Sequence, residues 1–244
     1  MLQAQSNFQR YEKKYLLNEL QYRQLRQGLK EGFEVDQYQE ATICNIYFDT
    51  PSHLLIRNSL EKPVYKEKLR LRSYGTPAEG DLVYAELKKK YKGVVYKRRV
   101  KMELEQAEQY LYERKPAEKS SQIIREIDYF MNFYQGMRPS MYISYQRIAM
   151  IGLENEDLRI TFDRNLLWRE EELWLECGAW GNSLLEEGQR LMEIKIPGVM
   201  PVWLSQLQNE LKIYPTSFSK YGKGYERSLQ EIKVETRKGD RLYA

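Results

Sequence analysis

Histidine is nearly missing: His53 is the only one among 244 residues. That sets aside Ser-His-Asp and Cys-His hydrolases, histidine metal clusters and histidine phosphotransfer. Cysteine is almost as scarce. Cys44 and Cys177 lie far apart and fit neither a disulfide framework nor a CxxC site, so a cytoplasmic, reducing location is expected. With 14 glycines and 8 prolines there is no Gly/Pro-rich linker, no low-complexity tract and no repeat. No apolar run approaches the ~18 residues of a membrane span. The stretch Met1–Arg10 lacks the apolar segment of a signal peptide. The GxxxxGK[ST] phosphate loop is absent, which excludes a P-loop enzyme. Charge is nearly balanced, 39 basic against 35 acidic residues, so where the charges stand matters more than their sum.

What is present is aromatic surface and period-two alternation. Mean hydropathy is −0.72, yet 20 Tyr, 7 Phe and 4 Trp supply a core too large for a disordered chain. One domain over 1–244 is expected, with its core at about 8–225, a C-terminal tail at 226–244 and no domain ahead of it. Alternation predicts strands at Phe8–Leu16, Ile43–Asp49, Tyr65–Ser73, Leu82–Lys90, Val94–Met102, Met141–Met150, Leu158–Asp163, Glu172–Cys177 and Arg190–Ile196. Helical spacing follows Asn18 (Tyr22, Leu25, Leu29) and Ser120 or Ser121 (Ile123, Ile127, Phe130, Tyr134). It also follows Pro201 (Trp203, Leu204, Leu207, Leu211), and Met102–Arg114 passes from strand into helix. His53 reads as a loop residue.

Side chains at i and i+2 share a strand face. Lys66, Lys68, Arg70 and Arg72 therefore stand opposite Leu69 and Leu71, and Tyr84, Glu86 and Lys88 opposite Val83, Ala85 and Leu87. Lys97, Arg99 and Lys101 oppose Val100 and Met102. Arg159, Thr161 and Asp163 oppose Ile160 and Phe162, and Glu193 and Lys195 oppose Met192, Ile194 and Ile196. Arg10, Glu12 and Lys14 likewise oppose Tyr11, Lys13 and Tyr15, and Tyr145 and Arg147 oppose Ile148 and Met150. A sheet with its charged face in water explains any one strand. Seven such strands, mostly basic, with apolar faces that three or four helices could cover, point instead to an antiparallel barrel with a charged lumen. Crowded like charges are costly, so that lumen requires a polyanion, and phosphate chains suit Arg and Lys. Lys88-Lys89-Lys90 and Lys97-Arg98-Arg99 with interleaved tyrosines also admit a nucleic-acid patch. Half of each run faces the other way, and nucleic acid is not expected.

Eight segments occur in an order that resembles a known family. They are Arg10-Tyr11-Glu12-Lys13-Lys14-Tyr15, Ile46-Tyr47-Phe48-Asp49, Lys68-Leu69-Arg70-Leu71-Arg72-Ser73-Tyr74-Gly75, Tyr84-Ala85-Glu86-Leu87-Lys88, Ser144-Tyr145-Gln146-Arg147, Arg159-Ile160-Thr161-Phe162-Asp163, Met192-Glu193-Ile194-Lys195 and Phe218-Ser219-Lys220-Tyr221. Together they resemble the catalytic domain of the vacuolar transporter chaperone (VTC) polyphosphate polymerases, which are triphosphate tunnel metalloenzymes like the CYTH phosphatases. The resemblance implies an α+β fold, an antiparallel β-barrel tunnel with helices packed outside.

It also implies a metal-dependent phosphotransferase moving the γ-phosphate of ATP to inorganic polyphosphate. By motif, Arg70, Arg72, Lys88 and Arg147 would be catalytic phosphate ligands, with Lys14, Lys97, Arg159 and Lys220 binding phosphate. Glu193 would hold Mn²⁺ or Mg²⁺, and a membrane protein is admitted as a partner. Arg10 stands where the first Glu of the CYTH Glu-x-Glu-x-Lys signature would be. That weighs against the alternatives of a tunnel triphosphatase or nucleotide hydrolase; a non-catalytic polyphosphate- or nucleotide-binding subunit is the third reading. Glu86 could instead pair with neighbours of Lys88 across the strands, and Asp163 could orient Arg159 or Lys195.

Overall fold

A computed structural model describes residues 10–92 and 94–242. In chain order the elements are β1 (Arg10–Leu17), α1 (Glu19–Gly28), β2 (Phe33–Asp49), α2 (Leu54–Leu60), β3 (Tyr65–Tyr74), β4 (Leu82–Tyr91), β5 (Val94–Glu103), α3 (Leu104–Leu111), α4 (Gln122–Phe133), β6 (Arg138–Gly152), β7 (Arg159–Arg169), β8 (Asn182–Ser183), β9 (Arg190–Pro197), α5 (Val202–Glu210) and α6 (Lys220–Leu242). Phe8 and Gln9, where the first strand was expected to begin, lie outside the described residues. The pairings β1–β9, β9–β7, β2–β3, β3–β4 and β4–β5 are antiparallel and helices cover the apolar face, as the alternation predicts. The chain divides into two compact units.

Of the described residues, the first unit joins 10–42, 145–165 and 185–218. Its core is Tyr15 and Leu17 of β1, Ile160 and Phe162 of β7, and Met192, Ile194 and Ile196 of β9. These pack with Leu25 and Leu29 from the α1 region and Leu204 of α5. A capping box starts α1: Asn18 Oδ1 accepts from Gln21 N–H (2.8 Å) and Gln21 Oε1 accepts from Asn18 N–H (3.1 Å). β1 pairs with β9, and β9 with β7. The hydrogen-bonded path of this unit ends at β1 among the described residues. Thr216 occupies part of that outer edge, its N–H donating to the Lys14 carbonyl (2.7 Å).

Of the described residues, the second unit joins 43–92, 94–144, 166–184 and 219–242. Cys44, Ile46 and Phe48 of β2, Leu69 and Leu71 of β3 and Val83, Ala85 and Leu87 of β4 bury against α3 and α4. Its path runs β2-β3-β4-β5 and ends at β5 among the described residues. Among the described residues strand pairing does not close into a ring, while the antiparallel sheet with helices on its apolar face is as expected. A buried carboxylate organises α2. Asp49 accepts from the N–H groups of Thr50, Leu55 and Ile56 (2.8–3.0 Å) and from Tyr221 Oη (2.9 Å). It thereby satisfies donors that a helix start leaves open. His53, expected in a loop, is the left-handed residue (φ 55°) just before α2.

Two further expectations are corrected. Glu172–Cys177 is not a strand but part of a loop gathered around Arg169, which is 3% exposed. The Arg169 guanidinium donates to the carbonyls of Glu171, Glu172, Trp174, Gly178 and Trp180 (3.0–3.3 Å) and lies 3.5 Å over the Tyr142 ring. Those carbonyls serve the guanidinium rather than a neighbouring strand. Of the expected C-terminal tail, 226–242 continue α6 and 243–244 lie outside the described residues; α6 approaches Met141 so closely that a Cβ at Gly224 would stand 2.3 Å from the sulfur.

Candidate functional site

In the second unit the charged face of β3, β4 and β5 is built row by row. Ladder register sets Tyr47, Arg70, Glu86 and Arg99 in one row and Asn45, Arg72, Tyr84 and Lys101 in the next. Lys68, Lys88 and Lys97 form a third. Glu86, only 1% exposed, is the hub. Its Oε2 accepts from Arg70 Nε (2.9 Å) and Nη2 (2.7 Å), and its Oε1 from Arg99 Nε (2.7 Å). Lys97 Nζ is 2.8 Å from Oε1, and Arg72 Nε is 3.8 Å from Oε2. Four cations therefore surround one carboxylate. Burial pushes the Glu86 carboxyl up, but Arg70, Arg72 and Lys97 outweigh it and hold the group well below the usual carboxylate range. Burial pushes Lys97 down to about 8; Glu86 opposes that, and the neighbouring Arg70 and Arg72 charges add to it.

Neighbouring groups fix these cations. Arg72 Nε donates to Asn45 Oδ1 (2.9 Å) and Arg70 Nη1 to Tyr47 Oη (3.1 Å). Arg99 Nη2 donates to Tyr74 Oη (2.7 Å), and the guanidinium lies 4.0 Å over the Tyr84 ring. Tyr47 stacks on Tyr221 (4.7 Å between centroids), and Lys68 donates to Ser219 Oγ (3.0 Å). Lys220, 9% exposed, is the first residue of α6 and directly follows Ser219. Arg70, Arg72 and Lys97 are thus brought together around one carboxylate. Lys88 stands in the adjacent row, and Lys220 belongs to the same unit.

In the first unit, Lys14 pairs in register with Glu193, and Glu193 with Thr161. Lys14 Nζ lies 3.2 Å from Glu193 Oε1, 3.6 Å from Glu12 Oε1 and 3.0 Å from the Phe218 carbonyl, to which it donates. Asp163, fully buried, accepts from Arg147 Nε (2.5 Å) and Nη2 (2.7 Å). It therefore orients Arg147. Arg147 Nη2 is also 3.9 Å from Glu193 Oε2. Burial pushes Arg147 down, but the Asp163 charge more than reverses it, so the guanidinium stays charged. Lys14, Arg147 and Glu193 form one cluster. Arg159 is exposed, faces Lys195 in the ladder and donates to the Glu156 carbonyl (3.1 Å).

Among the described residues no three His, Cys, Asp or Glu side chains converge as a metal cage. The oxygen set nevertheless fits a hard cation that takes one or two carboxylates and completes its shell with water and phosphate. Glu12 and Glu193 flank one ammonium. Beside Glu193, the buried Thr161 Oγ1 has no hydrogen-bond partner among the described residues. Alternation placed these residues on their faces but did not identify Glu86 as a hub or Arg169 as an organiser. The basic residues on both sides of Glu86 were the available signal.

A family model, the VTC domain, matches residues 9–229. A solved structure from Bacillus halodurans, provisionally described as an adenylate cyclase, aligns at 14% identity with a TM-score of 0.53, covering 86% of this chain and 95% of that one. Another from Vibrio parahaemolyticus, with the same provisional description, aligns at 12% identity and TM-score 0.47, covering 89% and 98%. The Bacillus structure shares the fold; at that identity it speaks to nothing else. No curated protein matches the sequence at a significant level.

Proposed function

The chain belongs to the VTC-domain family, whose fold is the triphosphate tunnel fold, and from that premise we propose that it is a metal-dependent polyphosphate polymerase. The observation that carries this reading is the excess charge on the β3-β4-β5 face: four cations on the single buried carboxylate Glu86. Like charges crowded this closely, Arg70 and Arg72 of them largely buried, require counter-charge, and tripolyphosphate supplies it in a form that Arg grips bidentately. The Lys68-Lys88-Lys97 row extends the cationic face past the Arg70-Glu86-Arg99 row. That extension supports a polymer over a lone triphosphate. The family model spans residues of both units, supporting a single catalytic domain.

In this reading Arg70, Arg72 and Lys97 hold ATP phosphates and neutralise charge on the transferred γ-phosphoryl, the main demand of phosphoryl transfer. Lys88 and Lys220 bind phosphate in the same unit. Lys14, Arg147 and Arg159 bind phosphate in the first unit, where Glu193, with Thr161 and Glu12 beside it, holds Mg²⁺ or Mn²⁺. When bound, that ion screens the phosphate oxygens and helps orient them. A terminal oxygen of the acceptor chain attacks the γ-phosphorus and ADP leaves, so no protein nucleophile is needed. Both cysteines are free and no helix among the described residues can cross a membrane. A cytoplasmic site of action, with a membrane protein receiving the product, completes the reading. Equilibrium binding of tripolyphosphate to the intact chain and to Arg70→Ala tests it: affinity is lost in the variant, and undiminished affinity contradicts the assignment.

A further inference from the structure

A second basic surface lies in the first unit, on the other side of its sheet. A cavity of about 400 Å³ opens between α1 and strands β2 and β6, lined by Tyr22, Arg23, Arg26, Lys30, Phe33 and Met150 among others. Arg147 and Met150 are three residues apart on β6, so their side chains leave opposite faces of the strand. Met150 and Phe33 belong to the core beneath α1. The cavity is therefore separate from the face that carries Arg147, Asp163 and Glu193.

Its cations are unequally neutralised. Arg23 pairs with Glu19 (2.8 Å). Arg26 donates to the Met150 thioether, a weak acceptor, and stands 5.9 Å from the Phe162 ring centroid. Neither Arg26 nor Lys30 meets a carboxylate among the described residues. Arg26, in the last turn of α1, and Lys30, just past its C-cap Leu29, thus stand beside an apolar floor of Phe33 and Met150 and the half-exposed Val35. The volume is within the range of ligand sites and far exceeds a lone phosphate. A bare phosphate chain would use the cations and leave the apolar floor idle.

We propose that this cavity is a second nucleotide site, with the phosphates of a nucleoside diphosphate on Arg26 and Lys30 and its base against the Phe33–Val35–Met150 side. The site is independent of the polymerase reading, and the experiment separates the two. ADP is titrated calorimetrically into the full chain and into Arg26→Gln/Lys30→Gln. If both sites exist, the intact chain binds two ADP and the variant one, the lost site weakening at least about tenfold. If the β3-β4-β5 face takes no nucleotide, the intact chain binds one and the variant none, which still supports the outer site. Unchanged stoichiometry and affinity in the variant overturn it. Tripolyphosphate filling the site as tightly as ADP also overturns it, since the apolar floor then contributes nothing. Photolabelling of the unmutated chain with 8-azido-ADP guards against misfolding of the variant. Label between Tyr22 and Val35 or near Met150 is expected, and label absent from both segments contradicts the proposal.

Discussion

Replacing Glu86 by Gln keeps the shape of the side chain and removes the one negative charge among Arg70, Arg72, Lys97 and Arg99. Glu86 is 1% exposed, so solvent cannot take over its role. Removing one partner from a buried charge network costs about 3–5 kcal/mol. For a chain of this size each kcal/mol moves Tm by roughly 2–4 °C. The unliganded Glu86→Gln protein is therefore expected to melt roughly 6–20 °C lower. Tripolyphosphate has the opposite effect: it replaces the missing charge and no longer competes with a carboxylate for the same guanidinium groups. The gain in Tm on adding tripolyphosphate should be larger in Glu86→Gln than in the native chain. The pH dependence gives a second check. The Glu86 carboxyl is held well below its ordinary value of 4.5, so its contribution is complete above that value and declines as pH falls below it. The difference between native and variant proteins should therefore shrink in acid. Differential scanning calorimetry at pH 7 and pH 4, with and without tripolyphosphate, measures all three effects. Equal melting of the unliganded proteins, or equal ligand-induced shifts, would refute the hub argument.

Three further outcomes are expected. Lys97, pushed down to about 8, loses its proton as pH rises from 7 to 9, so tripolyphosphate affinity should fall across that range and Lys97→Arg should flatten the fall. Its lowered value also means that the unfolded chain holds more protons between about 8 and 10.5, so this residue's own contribution to stability rises with pH there; a pH-independent affinity in the native chain contradicts the assignment. Glu193→Gln should abolish divalent-cation dependence together with turnover, because the amide lacks the charge that holds the ion, and full activity of the native chain in excess chelator would refute this. Arg169→Lys should destabilise the second unit by about 2–4 kcal/mol in urea unfolding, since an ammonium cannot serve five loop carbonyls or stack on Tyr142 in the same way; a loss below about 1 kcal/mol would show that the loop holds itself.

Face assignments were legible because strand parity is a local property. Arg70 must oppose Leu69 and Leu71 whatever lies beyond them, and Glu193 must oppose Met192 and Ile194. The Asn18 and Ser121 starts were legible for the same reason, as caps act within one turn. Register was not, because it couples distant segments. The hub at Glu86 depends on β3 and β5 both aligning with β4, and Arg99 could not be distinguished from any other strand arginine. Arg169 escaped because its partners are backbone carbonyls, which leave no trace in residue types. The first half of β2 escaped because Glu34, Asp36 and Glu40 break the apolar pattern and Gln39 takes a positive φ of 49°. α6 escaped because Gly222 and Gly224, needed for close approach to Leu60 and Met141, look like helix breakers.

Polymer formation on a basic, metal-assisted face is tested by sizing the phosphate products of ATP with Mn²⁺. ADP release matched by phosphate held in chains is expected, with little free orthophosphate. ADP and orthophosphate in equal amounts would contradict it in favour of hydrolysis, and tight polyphosphate binding with no ADP under any divalent metal would reduce the chain to a binding subunit.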